Sequence, residues 1–193
     1  IAVCGEVEER HGIVLAKNYL AKAKGVSTGE AIWQAKQKCP NLIIVPPHYD
    51  EYMKFSKKAR AIYERYTDEV EPFGIDECWI DVSGSTRIFG SGEKIAYEIK
   101  ETIKAELGLT VSIGVSFNKI FAKLGSDMKK PDAVTVIPKD SFREVIWDLP
   151  ASDLLGVGRS TDKLLSSYGI RTIGELANAY PDLIQRKLGK NGM

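Results

Sequence analysis

Cysteine and histidine are scarce in this chain, with 3 Cys and 2 His in 193 residues. Cys4, Cys39 and Cys78 are an odd number at wide spacing with no C-x-x-C, which excludes a disulfide framework and a cysteine zinc site. They are expected as reduced thiols in or near the core. His11 and His48 lie far apart in sequence and leave little for a histidine metal centre or a Ser-His-Asp triad, so both are expected at the surface. No stretch approaches the roughly 18 apolar residues of a spanning helix, and no signal peptide opens the chain. A cytoplasmic protein with no membrane partner is expected. Neither sign of charge dominates, since 27 basic residues face 26 acidic ones, so no global basic footprint for nucleic acid exists. Ile1 stands where a Met would open a complete protein, and Ile1-Ala2-Val3-Cys4 already reads as a strand in progress. A piece of a longer chain is expected.

What charge there is lies in blocks. Residues 64 to 81 hold seven acids (Glu64, Asp68, Glu69, Glu71, Asp76, Glu77, Asp81) against one base, Arg65. Within them Gly74-Ile75-Asp76-Glu77-Cys78-Trp79-Ile80-Asp81 sets two adjacent carboxylates between a β-prone run and a short apolar strand. Neighbouring strand residues point to opposite faces, so Asp76 and Glu77 can share a cation pair only where the chain bends. Gly74 permits that bend. The pair alone is also compatible with turn residues left in water, but Cys78, Trp79 and Ile80 offer it little polar company. Residues 117 to 130 carry Lys119, Lys123, Lys129 and Lys130 against Asp127 alone. Acids for metals and lysines for phosphates are complementary halves of a phosphoryl-transfer site.

Periodicity supplies the frame. Arg10-His11-Gly12 suggests a turn, and the S-x-x-E form of Ser27 to Glu30 predicts a helix over 28–38, ended before Pro40. Leu42 to Val45 predicts a short buried strand, and Pro46-Pro47 a boundary. Tyr52, Phe55, Ala59, Ile62, Tyr63 and Tyr66 recur at three and four, predicting an amphipathic helix from Asp50. The hairpin of Asp76 and Glu77 follows. Ile95, Ile99, Ile103 and Leu107 mark a second helix, closed by Gly108, and alternation over Leu109 to Val115 predicts a half-buried strand. Asn118 caps a short helix with Lys119 and Lys123 on one face at i,i+4; a solvated face and a DNA-backbone role both remain open for them. Val134 to Ile137 is the last strand. The order β-β-α-β-α-β implies an α+β fold of ferredoxin-like layout, helices on one face of a mainly antiparallel sheet. Trp33, Trp79 and Trp147 are expected to pack, and Asp81 to be an end-of-strand structural acid.

Beyond Pro138 short helices are punctuated by glycine. Gly156-Val157-Gly158, after an apolar helix and before one bearing Leu164 and Leu165, suggests a helix-hairpin-helix. Its glycines let the turn approach a DNA strand, and backbone N–H groups at the next helix start can hold a phosphate oxygen without reading a base. The candidate contacts are Gly156, Val157, Gly158, Ser160 and Thr161.

Four stretches together resemble the Y-family translesion DNA polymerases of the bacterial polymerase IV type. They are RHGIVLAKNYLAKAKGV (Arg10 to Val26), VEPFGIDECWIDV (Val70 to Val82), SIGVSFNKIFAKLGSDMKKP (Ser112 to Pro131) and LLGVGRSTDKL (Leu154 to Leu164). The resemblance implies fingers over 1–48, a palm over 49–137 and a helix-hairpin-helix thumb over 138–193. It implies that Asp76 bridges two Mg²⁺ ions and that Glu77 assists at the catalytic metal. Lys130 and Tyr19 then lie at the incoming triphosphate, with Lys22 and Lys17 as further nucleotide contacts. Primer-template DNA and dNTP are the implied partners, with the sliding clamp engaged through regions outside this chain, and translesion synthesis in DNA repair the implied role.

Departures qualify the match. The family's first metal-binding aspartate and its aromatic steric gate precede the segment that begins here, and its little finger follows it, so this chain by itself is expected to bind metal poorly and not to polymerise. Lys22 stands where arginine is frequent and lacks the bidentate fork; Ala16 replaces a hydroxyl residue, and Leu15 is large for its position. Two other readings stay open. A nucleotide cyclase also sets acids on a ferredoxin-like hairpin, but calls for Gly-Gly before them and no DNA-binding module. A non-catalytic DNA-binding protein on a decayed polymerase fold would lack an acid upstream of Ile1.

Overall fold

The computed structural model describes residues 1–5 and 12–189. The chain divides into two compact units, one from Ile1 to Lys54 and one from Phe55 onward. The expected turn at Arg10-His11 lies outside the described residues.

In the first unit, strand β1 (Ala2–Cys4) pairs antiparallel with β2 (Val14–Lys17) and parallel with β3 (Ile44–Val45). Helices α1 (Tyr19–Ala23) and α2 (Ile32–Lys38) complete it around Ala2, Cys4, Val14, Ala21, Val26, Ala35 and Leu42. The helix expected over 28–38 starts only at Ile32. Gly29 takes φ +83°, and the Glu30 carboxylate accepts from the Ser27 N–H at 2.7 Å while Lys38 holds its other oxygen. The residues of the apparent capping box thus close a turn ahead of the helix, and Gln34 caps the Ala31 N–H at 3.2 Å. The strand expected over 42–45 shrinks to two residues, because β1 offers partners only to Ile44 and Val45. Trp33, expected to pack, is 62% exposed on α2; Ala35, two positions on, takes the buried side of this short helix. His48 is exposed, as expected.

Helix α3 (Tyr49–Tyr63) carries the boundary between the units. In the second unit, β4 (Val70–Phe73) and β5 (Glu77–Ile80) form an antiparallel hairpin. The short α4 (Thr86–Phe89) and the long α5 (Gly92–Leu107) follow. Ser91 caps α5, accepting from the Lys94 N–H, and Gly108 at φ +66° ends it. Ile95, Ile99 and Ile103 recur every four residues and join Ile62 of α3 in one core, on which Ile80, Val82, Val111 and Ile113 pack.

Strand β6 (Ile113–Val115), helix α6 (Lys119–Met128) and strand β7 (Val134–Val136) make a β-α-β unit whose strands are parallel. The order β-β-α-β-α-β and the α+β class are as expected. The mainly antiparallel sheet is not: β4-β5 and β6-β7 are separate two-stranded sheets among the described residues. Crossing by a helix returns the chain in the same direction, which demands parallel pairing. Leu109 to Ser112, expected in a strand, are not in one, because β7 supplies partners only from Ile113 on, and Leu109 is 41% exposed.

The remaining helices are α7 (Phe142–Ile146), α8 (Arg159–Ser167), α9 (Ile173–Ala177) and α10 (Pro181–Leu188). Ile146 and Ile173 share a core with Leu124 and Ile137, while Leu165, Ile170 and Ile184 form another with Ala151. Trp147 lies flat on Gly174, where an added Cβ would meet its indole at 2.4 Å.

Candidate active site

The hairpin has two chemically different faces, because Glu71, Phe73, Glu77 and Trp79 share one parity across the register and Val70, Pro72, Cys78 and Ile80 the other. The second face is apolar, half-buried at Val70, Cys78 and Ile80 and exposed at Pro72. Ile80 packs on the α5 core; burial pushes the Cys78 thiol up, and burial, with Cys78 beside it, pushes the Tyr63 phenol up to about 12. Neither carries charge near neutral pH.

The first face meets helix α6. Asn118 accepts from the Phe121 N–H at 2.8 Å and starts that helix, placing Lys119 and Lys123 one turn apart. The Trp79 indole, tilted on Phe73 with ring centres 4.7 Å apart, donates to the Lys119 carbonyl at 3.0 Å. Lys119 pairs with Glu71. Lys123 donates to Glu77 Oε1 at 2.6 Å and lies 3.0 Å from Asp127 Oδ2. Lys119 stays exposed, as a solvated helix face would be, though paired with Glu71, whereas Lys123 is sheltered between Glu77 and Asp127. Burial would lower the Lys123 pKa, but hydrogen bonds to Glu77 and Asp127 outweigh it and hold the ammonium above its ordinary value.

Asp76 and Glu77 sit where the hairpin bends. Gly74 adopts φ +74°, and the Arg60 guanidinium of α3 donates to its carbonyl at 3.0 Å, bracing the turn. Asp76 is exposed and has no hydrogen-bond or ion-pair partner among the described residues. Glu77 opens β5 and offers Oε1 to Lys123. Asp81, at the other end of β5, accepts from the Ser83 N–H at 2.8 Å, and Ser83, through its side chain first and its N–H next, holds the carboxyl below its ordinary pKa; it is a local structural acid, as expected.

Lys130 follows α6 and pairs with Asp127 Oδ1 at 2.7 Å. Burial would raise the Asp127 pKa, but Lys130 and Lys123 outweigh it and hold the carboxyl low. Asp76, Glu77 and Lys130 therefore belong to one unit and one neighbourhood. Tyr19, Lys22 and Lys17 belong to the first unit. There Lys22 approaches the Tyr19 ring to 6.0 Å, and Lys17 donates to Thr28 Oγ1 at 2.7 Å.

In the candidate helix-hairpin-helix, Gly156 takes φ +92° and Gly158 precedes α8 with extended backbone and no side-chain cap. Val157 is half-buried against the Leu165 core, and Ser160 and Thr161 lie in the first helical turn, whose N–H groups have no intrahelical acceptor. The element before the turn is a single 3-10 turn, Ala151–Asp153, and not the helix expected; Pro150 ends α-helical continuation.

Sequence reasoning missed Arg60 and Asp127. The spacing Lys123-x3-Asp127-x2-Lys130 is a legible run of helical ion pairs, whereas nothing in the sequence connects Arg60 to Gly74.

Oxygen donors suit Mg²⁺, which one or two carboxylates hold together with substrate phosphates. Among the described residues no group of three His, Cys, Asp or Glu forms a metal cluster. Asp76 and one free oxygen of Glu77 fit a site completed by phosphate oxygens.

The chain is similar to known proteins in sequence and in fold. The model of the impB/mucB/samB family matches residues 1–127. The chain is 62% identical over 192 residues to DNA polymerase IV of Acetivibrio thermocellus, with 100% of this chain aligned to 48% of that protein. It is 43% identical over 192 residues to DNA polymerase IV 1 of Bacillus subtilis, covering 46% of it. In structure it is similar to DinB from Sulfolobus solfataricus, with a TM-score of 0.89 at 28% identity over 98% of this chain and 55% of that one. An insertion ternary complex of Dbh DNA polymerase gives a TM-score of 0.88 at 27% identity, covering 100% of this chain and 60% of that one. The chain belongs to the impB/mucB/samB family, and its α+β fold is that of Y-family DNA polymerases. It spans about half the length of the curated relatives it matches.

Proposed function

We propose that the whole protein carrying this chain is a DNA-directed DNA polymerase of the translesion type, acting in damage bypass and DNA repair in the cytoplasm. It transfers a nucleotidyl group from a dNTP to a primer 3′-hydroxyl, with pyrophosphate leaving. On this reading 1–48 are fingers, 49–137 palm and 138–193 thumb, and the sliding clamp is met by regions outside this chain.

Together with an acid outside this chain, Asp76 and Glu77 would hold two Mg²⁺ ions, which would make the hydroxyl a better nucleophile and stabilise the attacking and leaving oxygens. The chain's own residues position the reactants. Lys130 faces the triphosphate from the palm, and Tyr19, Lys22 and Lys17 from the fingers, so that positioning and charge neutralisation carry the catalysis. The glycine turn at Gly156 to Gly158 and the N–H groups at Ser160 and Thr161 hold a DNA phosphate without reading sequence.

The observation that carries this reading is the Asp76 carboxylate, exposed and without a partner among the described residues, on a braced turn beside Glu77. The test is primer extension by the full-length protein bearing Asp76→Ala. Mg²⁺-dependent extension is lost while duplex binding remains; extension at the wild-type rate refutes the metal assignment, and absence of extension by the unsubstituted protein favours a decayed DNA-binding fold.

A further inference from the structure

Four side chains of alternating charge form one row through the candidate site. Glu77 Oε1 meets Lys123 Nζ at 2.6 Å, Lys123 meets Asp127 Oδ2 at 3.0 Å, and Asp127 Oδ1 meets Lys130 Nζ at 2.7 Å. Lys123 is the least exposed member of this row, its side chain 17% exposed against 38% for Glu77, 43% for Asp127 and 48% for Lys130. Each Asp127 oxygen serves a different lysine, and Glu77 commits Oε1 while its Oε2 has no partner among the described residues. Asp76 stands outside the row with its charge uncompensated among the described residues.

We propose that Lys123 and Asp127 are positioning residues of the nucleotidyl-transfer site, tying the metal-holding acid and the phosphate-facing lysine into one framework. The proposal rests on the polymerase reading above. Lys123 fixes the Glu77 carboxylate through one oxygen, so that the other presents to a cation without a search over rotamers. Asp127 holds the flexible Lys130 stem where a triphosphate arrives; a lysine is a point charge on four rotatable bonds and gains most from such a tether. Hydrogen-bonded partners behind a metal-binding carboxylate commonly control affinity by about 10–100-fold. Helix α6 imposes the arrangement, since Lys123 and Asp127 are one turn apart on it and Lys130 follows its end.

The competing role for Lys123 is a cation that occupies Glu77 in place of metal. The two differ in sign. Removing a positioning residue weakens metal binding, and removing a competitor tightens it.

The experiment uses the full-length protein with Lys123→Met, Lys123→Arg, Asp127→Asn and Asp76→Ala. Binding of Mn²⁺ alone is followed by electron paramagnetic resonance, and kcat and KM for dNTP by primer extension in Mg²⁺. Lys123→Met weakens Mn²⁺ binding by about tenfold or more, and Lys123→Arg, which keeps the charge, stays within about threefold of wild type. Asp127→Asn raises KM for dNTP several-fold more than it lowers kcat. Unchanged or tighter Mn²⁺ binding by Lys123→Met overturns the proposal, as does an unchanged KM in Asp127→Asn. If Lys123→Met fails to fold, Asp127→Asn and Lys123→Arg still decide. Active Asp76→Ala would sink the metal assignment on which this inference rests, and absence of primer extension by the unsubstituted protein would sink the polymerase reading, whereas inactive Asp76→Ala with a silent Lys123→Met sinks only this inference.

Discussion

Replacing Gly114 by alanine tests the geometry on which the whole site depends. Gly114 is the middle residue of β6, and helix α6 crosses it backbone to backbone. A Cβ there would lie 1.8 Å from the Ala122 carbonyl oxygen and 2.6 Å from the Ser126 nitrogen. Both are main-chain atoms of α6, so no rotamer change can relieve them. Carbon contacts are comfortable at about 3.5 Å, so the helix must retreat by roughly 1.5 Å. That movement draws Lys123 away from its 2.6 Å contact with Glu77 and Lys119 from Trp79. Overpacking of this kind costs about 1–3 kcal/mol and occasionally more; backbone rigidity puts Gly114→Ala at the upper end. A loss of about 3 kcal/mol lowers Tm by roughly 6–12 °C for a chain of this size. Urea unfolding followed by tryptophan fluorescence gives the difference directly, with Gly84→Ala as comparison, where an added Cβ meets nothing within 4 Å. If Gly114→Ala loses less than about 0.5 kcal/mol, the range of an unremarkable surface change, α6 does not sit on β6 as described.

Other outcomes are equally specific. Lys130→Ala in the full-length protein raises KM for dNTP by about tenfold, since a charge-assisted hydrogen bond is worth about 1.5–3 kcal/mol; an unchanged KM removes Lys130 from the triphosphate. Asp132 is held below its ordinary pKa by Lys104 first and Lys100 as well. A depressed carboxylate stabilises above its unfolded pKa and loses that effect as pH falls through its folded one. The stability gap between wild type and Asp132→Asn is therefore full at neutral pH and closes below about pH 4; a gap constant from pH 7 to 3 in urea titrations contradicts the ion pairs. Gly156→Val forces a side chain onto φ +92°, a strain of about 1–3 kcal/mol. It weakens binding of two unrelated DNA duplexes equally in fluorescence anisotropy, and wild-type affinity would exclude this turn from the DNA contact.

Much of the arrangement was legible in the residues. Asn118 as a cap, Gly108 as a helix stop, the isoleucine stripe of α5 and the bend at Gly74 are local rules, in which a side chain acts within four positions of itself. The same locality explains the failures. Ser27 to Glu30 obeys the capping-box pattern, yet Gly29 turns left-handed and Glu30 is claimed by Lys38 from the far end of α2. The alternation over Leu109 to Val115 satisfies a strand, but a strand exists only as far as its partner reaches. Trp33 has the composition of a core residue and the position of a surface one.

The sequence by itself determined which residues carry chemistry and in what local setting: two carboxylates at a glycine bend, a lysine-bearing capped helix, and glycines before α8. These follow from side-chain type and short-range backbone preference, and the motifs spell out the family to which the chain belongs. Only the tertiary structure decided what those groups do to one another. Glu77 and Lys123 are 46 positions apart, Arg60 and Gly74 are 14 apart, and both contacts arise because α3 shares a core with Ile80 of the hairpin and α6 lies on β6 at a glycine with no Cβ. Charge pairing across such distances in sequence is a property of packing, and helix α6, read alone, could as well have turned its lysines to water.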